Sequence, residues 1–463
     1  MTRIDRDARI LILGAGPGGL TAAHYLRRYG YKNVTVFEKL GRVGGLCCSI
    51  TEDNQAFDLG AVMTSPDYRE VHRLARRVGV RLEKLCGVAA FSLDCVGQPA
   101  APYHRLLDYV AGGSTFSAHL RYWWECLRYM WIRFRMRRLF RRPGWAGISE
   151  HPELCISMLQ WLRDHRLEGL ARAFEMPVTA FGYGNLDEIP APYVLRYGTV
   201  CGMVAFLLSA APFARWIPKC LLLKRFRHGF QRLWERLAWE LNVRLNVEVT
   251  SIQRQGDRIG VTYTHPVQLL NQQVTNAEER AEFDYLILAC PLVKAELERI
   301  MTLTEEEADL QSRLRFIPYA VASFEISGAV LPERVAFHLP LPEIGAPMLV
   351  YQAHRDNELM VFYARLASSQ PTPDDERRLR EHVERYVQAF GGQINVDDDW
   401  HSYDAWLYFK HVSAGDMQNG YYDRWEAIQG ENRTFYAGGL FDFDCVEGAA
   451  RYGRAVIERH FVN

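Results

Sequence analysis

The 463-residue chain has no excess of charge, with 55 Lys+Arg against 55 Asp+Glu. That removes the overall basic field on which nucleic-acid binding depends, and no base-reading motif is present, so no nucleic acid is expected as a partner. Long apolar runs are missing as well. The first, Ile10-Leu11-Ile12-Leu13, follows a polar stretch of mixed charge from Met1 to Arg9. It is far too short for a signal peptide or a membrane span, so a cytoplasmic protein is expected. Closely paired Cys/His motifs are absent, and the adjacent Cys47-Cys48 have poor geometry for chelating one ion, so no metal is expected. With no secretion signal, the ten cysteines read as reduced thiols. There are no internal repeats and no low-complexity linkers, so the fold is not built from repeated units. What remains is ordinary globular composition, 48% hydrophobic and 24% charged. The length calls for two or three domains, because single cores stop growing at roughly 250–300 residues.

The local signal lies near the start. Ile10 to Leu13 reads as a buried parallel strand, followed at once by Gly14-Ala15-Gly16-Pro17-Gly18-Gly19 and a helix from Leu20 to Tyr29 that ends at Gly30. Val34 to Phe37 is a second strand, delivering Glu38 and Lys39 at its carboxyl end. Gly14 permits the tight turn, Gly16 lets a pyrophosphate approach the backbone, and Gly19 allows close helix–strand packing. The helix N-terminus faces the phosphates, and Glu38 is placed to accept hydrogen bonds from a ribose. This is a dinucleotide-binding unit.

NAD and FAD use the same loop, so a second feature must decide. Arg42-Val43-Gly44-Gly45-Leu46 and Asp58-Leu59-Gly60-Ala61-Val62 let the chain pass close to a longer cofactor. Thr434 to Gly439 reads as a strand ending in Gly438-Gly439. After Cys445, Val446 to Phe461 reads as a helix whose N-terminal partial charge would favour an anionic reduced flavin. A cofactor bracketed in this way resembles the flavin amine oxidase arrangement, and FAD is the reading. No second GxGxxG occurs, so no NAD(P)H site is expected. The flavin then either reoxidises on dioxygen or returns its hydride to the substrate.

The fold class expected is α/β with α+β: a Rossmann-type FAD domain (1–62, 225–312 and 426–463), an antiparallel-sheet substrate domain (63–99 and 313–425) and a helical region (100–224). Arg244 to Val249 reads as one strand, pairing with Ile259 to Tyr263. Residues 315–410 read as strands, such as Ala320 to Phe324 and Leu359 to Tyr363. Within the helical region, Arg121 to Arg142 interleaves eight arginines with Trp123, Trp124, Trp131, Phe134 and Phe140, and Glu125 is its only acid. Trp123, Trp124, Leu127, Trp131 and Phe134 fall on one side of a helix. That side either touches anionic lipid as a surface helix or packs into the core with a basic edge in water. A second apolar-basic stretch, Met203 to Phe226, is broken by Pro212 and Pro218 and is no simple membrane helix.

Thr179-Ala180-Phe181-Gly182-Tyr183-Gly184, with Ile189 to Leu195, Tyr408 to Ser413 and Arg433 to Gly438, resembles the flavin-dependent polyunsaturated fatty acid isomerases, within the flavin amine oxidase-like superfamily. The resemblance implies FAD and a redox-neutral double-bond shift on a lipophilic substrate. Flavin N5 takes a hydride from a bis-allylic carbon and returns it at the far end of the system, with no acid–base residue required. It places Phe181 and Tyr183 against the substrate and Val249 near the adenine. The family holds the substrate carboxylate with an arginine before a short strand. Here Val88-Ala89-Ala90-Phe91 carries none, so an ester or another lipophilic metabolite is also expected to fit. The alternative is a flavin oxidase or dehydrogenase that desaturates a lipophilic amine or biosynthetic intermediate. Peripheral contact with the inner face of an anionic membrane completes the expectation.

Overall fold

The computed structural model describes residues 4–91, 106–268, 274–329, 331, 333–368, 370–395 and 401–462. The expected boundary at residues 99/100 lies outside them. Ile10, Leu11 and Ile12 are fully buried because the strand Arg9–Leu13 is the middle of a five-stranded parallel sheet. The order is Thr434–Tyr436, Tyr285–Leu288, Arg9–Leu13, Asn33–Phe37, Val243–Arg244. A central parallel strand has no wet face, hence the unbroken apolar run. Helix Pro17–Arg28 starts with proline, whose missing N–H is no loss in a first turn, and it packs along helix Val446–His460.

The strand expected over Arg244 to Val249 is in fact two. Val243–Arg244 closes the parallel sheet, Asn246 turns the chain in the left-handed region, and Glu248–Gln255 begins an antiparallel ribbon with Arg258–Gln268 and Val274–Phe283. Asparagine tolerates that conformation, and alternating side chains cannot show that the backbone changes sheets. The pairing of Ile259 to Tyr263 with the ribbon strand is present.

Residues 315–411 supply most of a seven-stranded sheet. Its order is Gln393–Ile394, Arg315–Ser327, Leu359–Arg365, Pro347–Tyr351, Val335–His338, Val88–Phe91, and Ser402–His411 pairs with Arg315–Ser327. Two things depart from the expected antiparallel sheet. Val88–Phe91 joins parallel to Val335–His338. Pro373–Ala389 is a helix, started by a capping box between Thr372 and Asp375. It buries Leu379, Val383, Tyr386 and Val387 against Phe324, Met360 and Phe362 on one face of that sheet. The other face contributes to the main core, which is continuous with the parallel sheet.

Candidate active site

Gly14 lies at φ +103° and donates its N–H to the Phe37 carbonyl at 2.8 Å, folding the loop back over the parallel sheet. Glu38 holds the loop from the next strand: its Oε2 accepts the Ala15 N–H at 2.8 Å and its Oε1 the Leu40 N–H at 2.9 Å. Gly44 donates to the Ala15 carbonyl at 2.9 Å, bringing Gly45 beside the loop. Four glycine-bearing segments then meet with no room for side chains. A Cβ on Gly18 would stand 3.0 Å from the Gly438 Cα, one on Gly45 3.3 Å from the Gly16 Cα, and one on Gly453 2.4 Å from the Gly18 carbonyl oxygen. The backbone is thereby bared along a cradle at the N-terminus of Pro17–Arg28, which suits a pyrophosphate.

From this cradle a cavity of about 440 Å³ runs between the parallel sheet and the seven-stranded sheet. Of the residues singled out from sequence, Gly16, Pro17, Gly18, Gly45, Leu46, Gly60, Ala61, Val62, Gly438, Gly439, Cys445 and Val446 line it, together with Phe181 and Tyr183. Gly14, Ala15, Gly19 and Gly44 stand behind the wall and shape the turn. Glu38 is half-buried and reaches the loop but not the cavity. Lys39 is exposed and pairs with Glu248 at 3.4 Å. Val249 is half-buried in the ribbon, opposite Tyr263, away from this cavity.

Phe181 and Tyr183 both reach the cavity because the chain between and after them turns through left-handed glycines. Gly182 has φ +80° and Gly184 +90°, and a Cβ on Gly182 would strike the Tyr319 ring at 2.8 Å. Tyr183 is buried in an aromatic cluster, stacked on Tyr408 with centroids 5.5 Å apart and edge-on to Tyr197 and Phe443. Phe181 is half-buried and meets Phe337 edge-on at 5.6 Å. A smaller cavity of about 50 Å³ shares Phe181, Met63, Tyr68 and Tyr197 with the first and continues to Gly198, Gly202, Met203 and Phe206.

Sequence reasoning did not assign Tyr68, Tyr197, Tyr319, Tyr363, Trp406, Tyr408, Lys410 or Asp444 to the site, yet all line it. For Tyr408 and Lys410 a signal exists in the folded strand. Phe409 adopts φ +41° beside a register shift, a bulge of the kind that redirects side chains next to active sites. It carries Lys410 onto Asp444: Nζ lies 2.7 Å from Oδ2, and the Lys410 N–H donates to the same oxygen at 2.9 Å. Apart from Glu296 at the exposed rim, the rest of the wall carries no acidic or basic side chain among the described residues. Burial holds the hydroxyls of Tyr68, Tyr183, Tyr363 and Tyr408 well above the usual tyrosine range. It also pushes the Cys445 thiol up to about 11 and the Cys290 thiol to about 12. Cys445 caps the helix Val446–His460 by accepting the Gly448 N–H at 3.4 Å, so the first turn of that helix ends on the cavity.

Known proteins align with this reading. The model of flavin containing amine oxidoreductases matches residues 17–456. A polyenoic fatty acid isomerase from Ptilota filicina is 27% identical over 205 residues, 41% of this chain and 41% of that protein. A putrescine oxidase from Kocuria rosea is 39% identical over 273 residues, 58% of this chain and 52% of that protein. The chain thus spans about half, or less, of the length of these relatives. Among solved structures, a CLA-producing fatty acid isomerase from P. acnes superposes with a TM-score of 0.80 at 23% identity, over 99% of this chain and 100% of that one. A putrescine oxidase structure superposes at 0.62 and 18% identity, over 98% of each. The glycine cradle, the helix end on the cavity and a family match that runs from the phosphate loop into the helix Val446–His460 have one meaning: the chain belongs to the flavin-containing amine oxidoreductases and is an FAD-dependent enzyme.

Proposed function

We propose that the enzyme shifts a double bond within a polyunsaturated fatty acid or another lipophilic polyene, without net oxidation. The observation that carries this reading is the cavity wall. It is aliphatic and aromatic, its hydroxyls and thiols stay protonated, and its one cation among the described residues, the half-buried Lys410, is engaged by Asp444. Bound FAD supplies a reversible hydride acceptor, which is the chemistry a redox-neutral shift needs. The chain's own residues position and exclude. Gly16, Gly18, Gly45 and Gly438 would hold the cofactor's pyrophosphate against bare protein backbone. The rings of Phe181, Tyr183, Tyr319 and Tyr408 confine an alkyl chain and keep water from a cationic stage of the reaction. The first turn of Val446–His460, ending on the cavity, would supply partial positive charge to a reduced flavin. The strand Val88–Phe91 is buried and brings no arginine to a carboxylate, which favours an ester or other neutral lipid beside the free acid. A lipophilic substrate is in keeping with a cytoplasmic enzyme that works against the inner face of the membrane. The similarity to the fatty acid isomerases supports the same assignment.

The test is oxygen-free incubation of the purified holoenzyme with a panel of polyunsaturated acids and esters. Conjugated-diene absorbance should rise without any added acceptor. Strict oxygen dependence with peroxide release, or flavin that bleaches and stays reduced without oxygen, would instead identify an oxidase or dehydrogenase.

A further inference from the structure

The helix Phe116–Arg135 is inside out. Leu120, Trp123, Trp124, Leu127, Trp131 and Phe134 recur at three- and four-residue steps, and each is 48–67% exposed. At 3.6 residues per turn they share an arc of about 100°. The opposite face, which points inward, carries Tyr122, Glu125, Tyr129 and Arg133, none more than 9% exposed. A stripe of three tryptophans left in water needs a partner, because an apolar patch of that extent is rarely left bare.

Charge identifies the partner. Arg121, Arg128, Arg135, Arg137, Arg138 and Arg141 are exposed beside the stripe, and Glu125, the only acid from 116 to 142, is buried against Arg121. A second copy of this chain would bring arginines against arginines. A bilayer with anionic headgroups takes both parts, since tryptophans settle at the headgroup boundary while arginines meet the phosphates. The stretch after the helix Val200–Ser209 repeats the chemistry, with exposed Phe213, Trp216 and Leu221 among Arg215 and Lys219. Among the described residues no single helix is long and apolar enough to cross a membrane.

The stripe is also tied to the site. Tyr129, on its inward face, donates its hydroxyl to the Gly198 carbonyl at 2.6 Å. Gly198 lies at the break between Ala191–Tyr197 and Val200–Ser209, which diverge by 61°. That break borders the smaller cavity, which runs from Gly202 and Met203 to Phe181. The N-terminal half of Val200–Ser209 therefore has the cavity on one side and exposed Cys201 and Val204 on the other.

We infer that the Phe116–Arg135 helix and the 213–221 segment dock on an anionic bilayer, and that the break at Gly198–Met203 is the portal through which a lipid substrate passes from the membrane to Phe181 without crossing water. The inference rests on the lipophilic-substrate reading, but its docking half is measured without turnover. Holoenzyme is floated with phosphatidylcholine vesicles with and without phosphatidylglycerol, alongside the exposed double variant Trp124→Glu/Trp131→Glu. Wild type should float with the anionic vesicles only, and the variant should lose about tenfold or more of its bound fraction while keeping its flavin spectrum. The variant should turn over detergent-dispersed lipid like wild type and vesicle-embedded lipid much more slowly. Met203→Trp, in the portal, should bind vesicles normally and turn over both forms slowly. Wild type that ignores anionic vesicles, or a variant that floats equally well, overturns the docking. Concentration-dependent dimerisation that the double variant abolishes would assign the stripe to a second copy instead. Equal turnover by Met203→Trp overturns the portal. A protein that floats as described but isomerises no lipid leaves docking in place and removes only the catalytic reading.

Discussion

Gly453→Ala sets two rules of physical chemistry against each other. Gly453 sits inside the helix Val446–His460, where alanine is ordinarily better than glycine by about 1 kcal/mol. Its new methyl would nevertheless stand 2.4 Å from the Gly18 carbonyl oxygen and 3.1 Å from the carbonyl carbon, both backbone atoms of the phosphate loop and its helix. Backbone cannot rotate away, so the two helices must separate, and overpacking of this kind costs about 1–3 kcal/mol or more. The net expectation is a loss of about 1–2 kcal/mol. It should be divided between a lower melting temperature of the apoprotein and weaker FAD binding, the two shares together equivalent to about 5- to 30-fold, because the cradle at Gly18 is what moves. Thermal melting of the apoprotein and fluorescence titration with FAD measure the two shares. A variant that melts higher than wild type and binds FAD equally well would show that helix propensity, not the crossing at Gly18, governs this position, and the cradle argument would fail.

Phe181→Ala removes the ring at the junction of the two cavities, and kcat/KM should fall roughly 10–100-fold, from about 1.5–3 kcal/mol for a side chain of that size, with FAD content unchanged; loss of FAD would assign Phe181 to the fold instead. Lys410→Met strands the Asp444 carboxylate, whose side chain is 10% exposed; breaking a fully buried pair costs about 3–5 kcal/mol, which is the upper bound here. Chemical denaturation should record that loss and its partial recovery in Lys410→Met/Asp444→Asn; an unchanged single variant would refute it. Asp58 is buried and its carboxyl is raised by burial to about 7, opposed by hydrogen bonds from Ser49 and the Phe230 N–H. A raised carboxyl binds its proton more tightly in the native state, so its contribution is complete below about pH 4 and is lost as pH rises to about 7. The loss is on the order of 3–5 kcal/mol. Asp58→Asn keeps an acceptor for both donors and should flatten that fall when denaturation is followed from about pH 5 to 8; an undiminished slope would place the titration elsewhere.

What the sequence disclosed was whatever a short stretch decides for itself. Strand, glycine turn and helix follow one another from Arg9 to Arg28, so the cradle was legible, as were Gly45 and Gly438 by their pairing with a second glycine. The aromatic wall was not, because Tyr68, Tyr197, Tyr319, Tyr363 and Tyr408 come from separate elements that meet only in three dimensions. Lys410 lay in a quoted motif, but only the Phe409 bulge makes it a cavity residue. Helix Pro373–Ala389 carried its own signal, a Thr372–Asp375 capping box before Leu379, Val383 and Val387. That signal was overridden by the strand pattern on either side. Periodicity also showed that the tryptophans of residues 116–135 share a side. It could not say that this side faces out, since a stripe has no sign until the rest of the chain has taken the other face.

The crossing of Gly18 with Gly438 and Gly453 has a consequence in time. The segments that must touch are about 420 residues apart, and a ribosome adding about 5–20 residues per second separates them by roughly 20–80 s. For about the first two thirds of that interval the strand Arg9–Leu13 has its neighbour Asn33–Phe37 but not Tyr285–Leu288, so one of its edges stays unpaired. The nascent chain therefore cannot take up its flavin while it is being made. Flavin binding waits for Gly438 and Gly453 to meet Gly18, closing a clasp that translation leaves open until late.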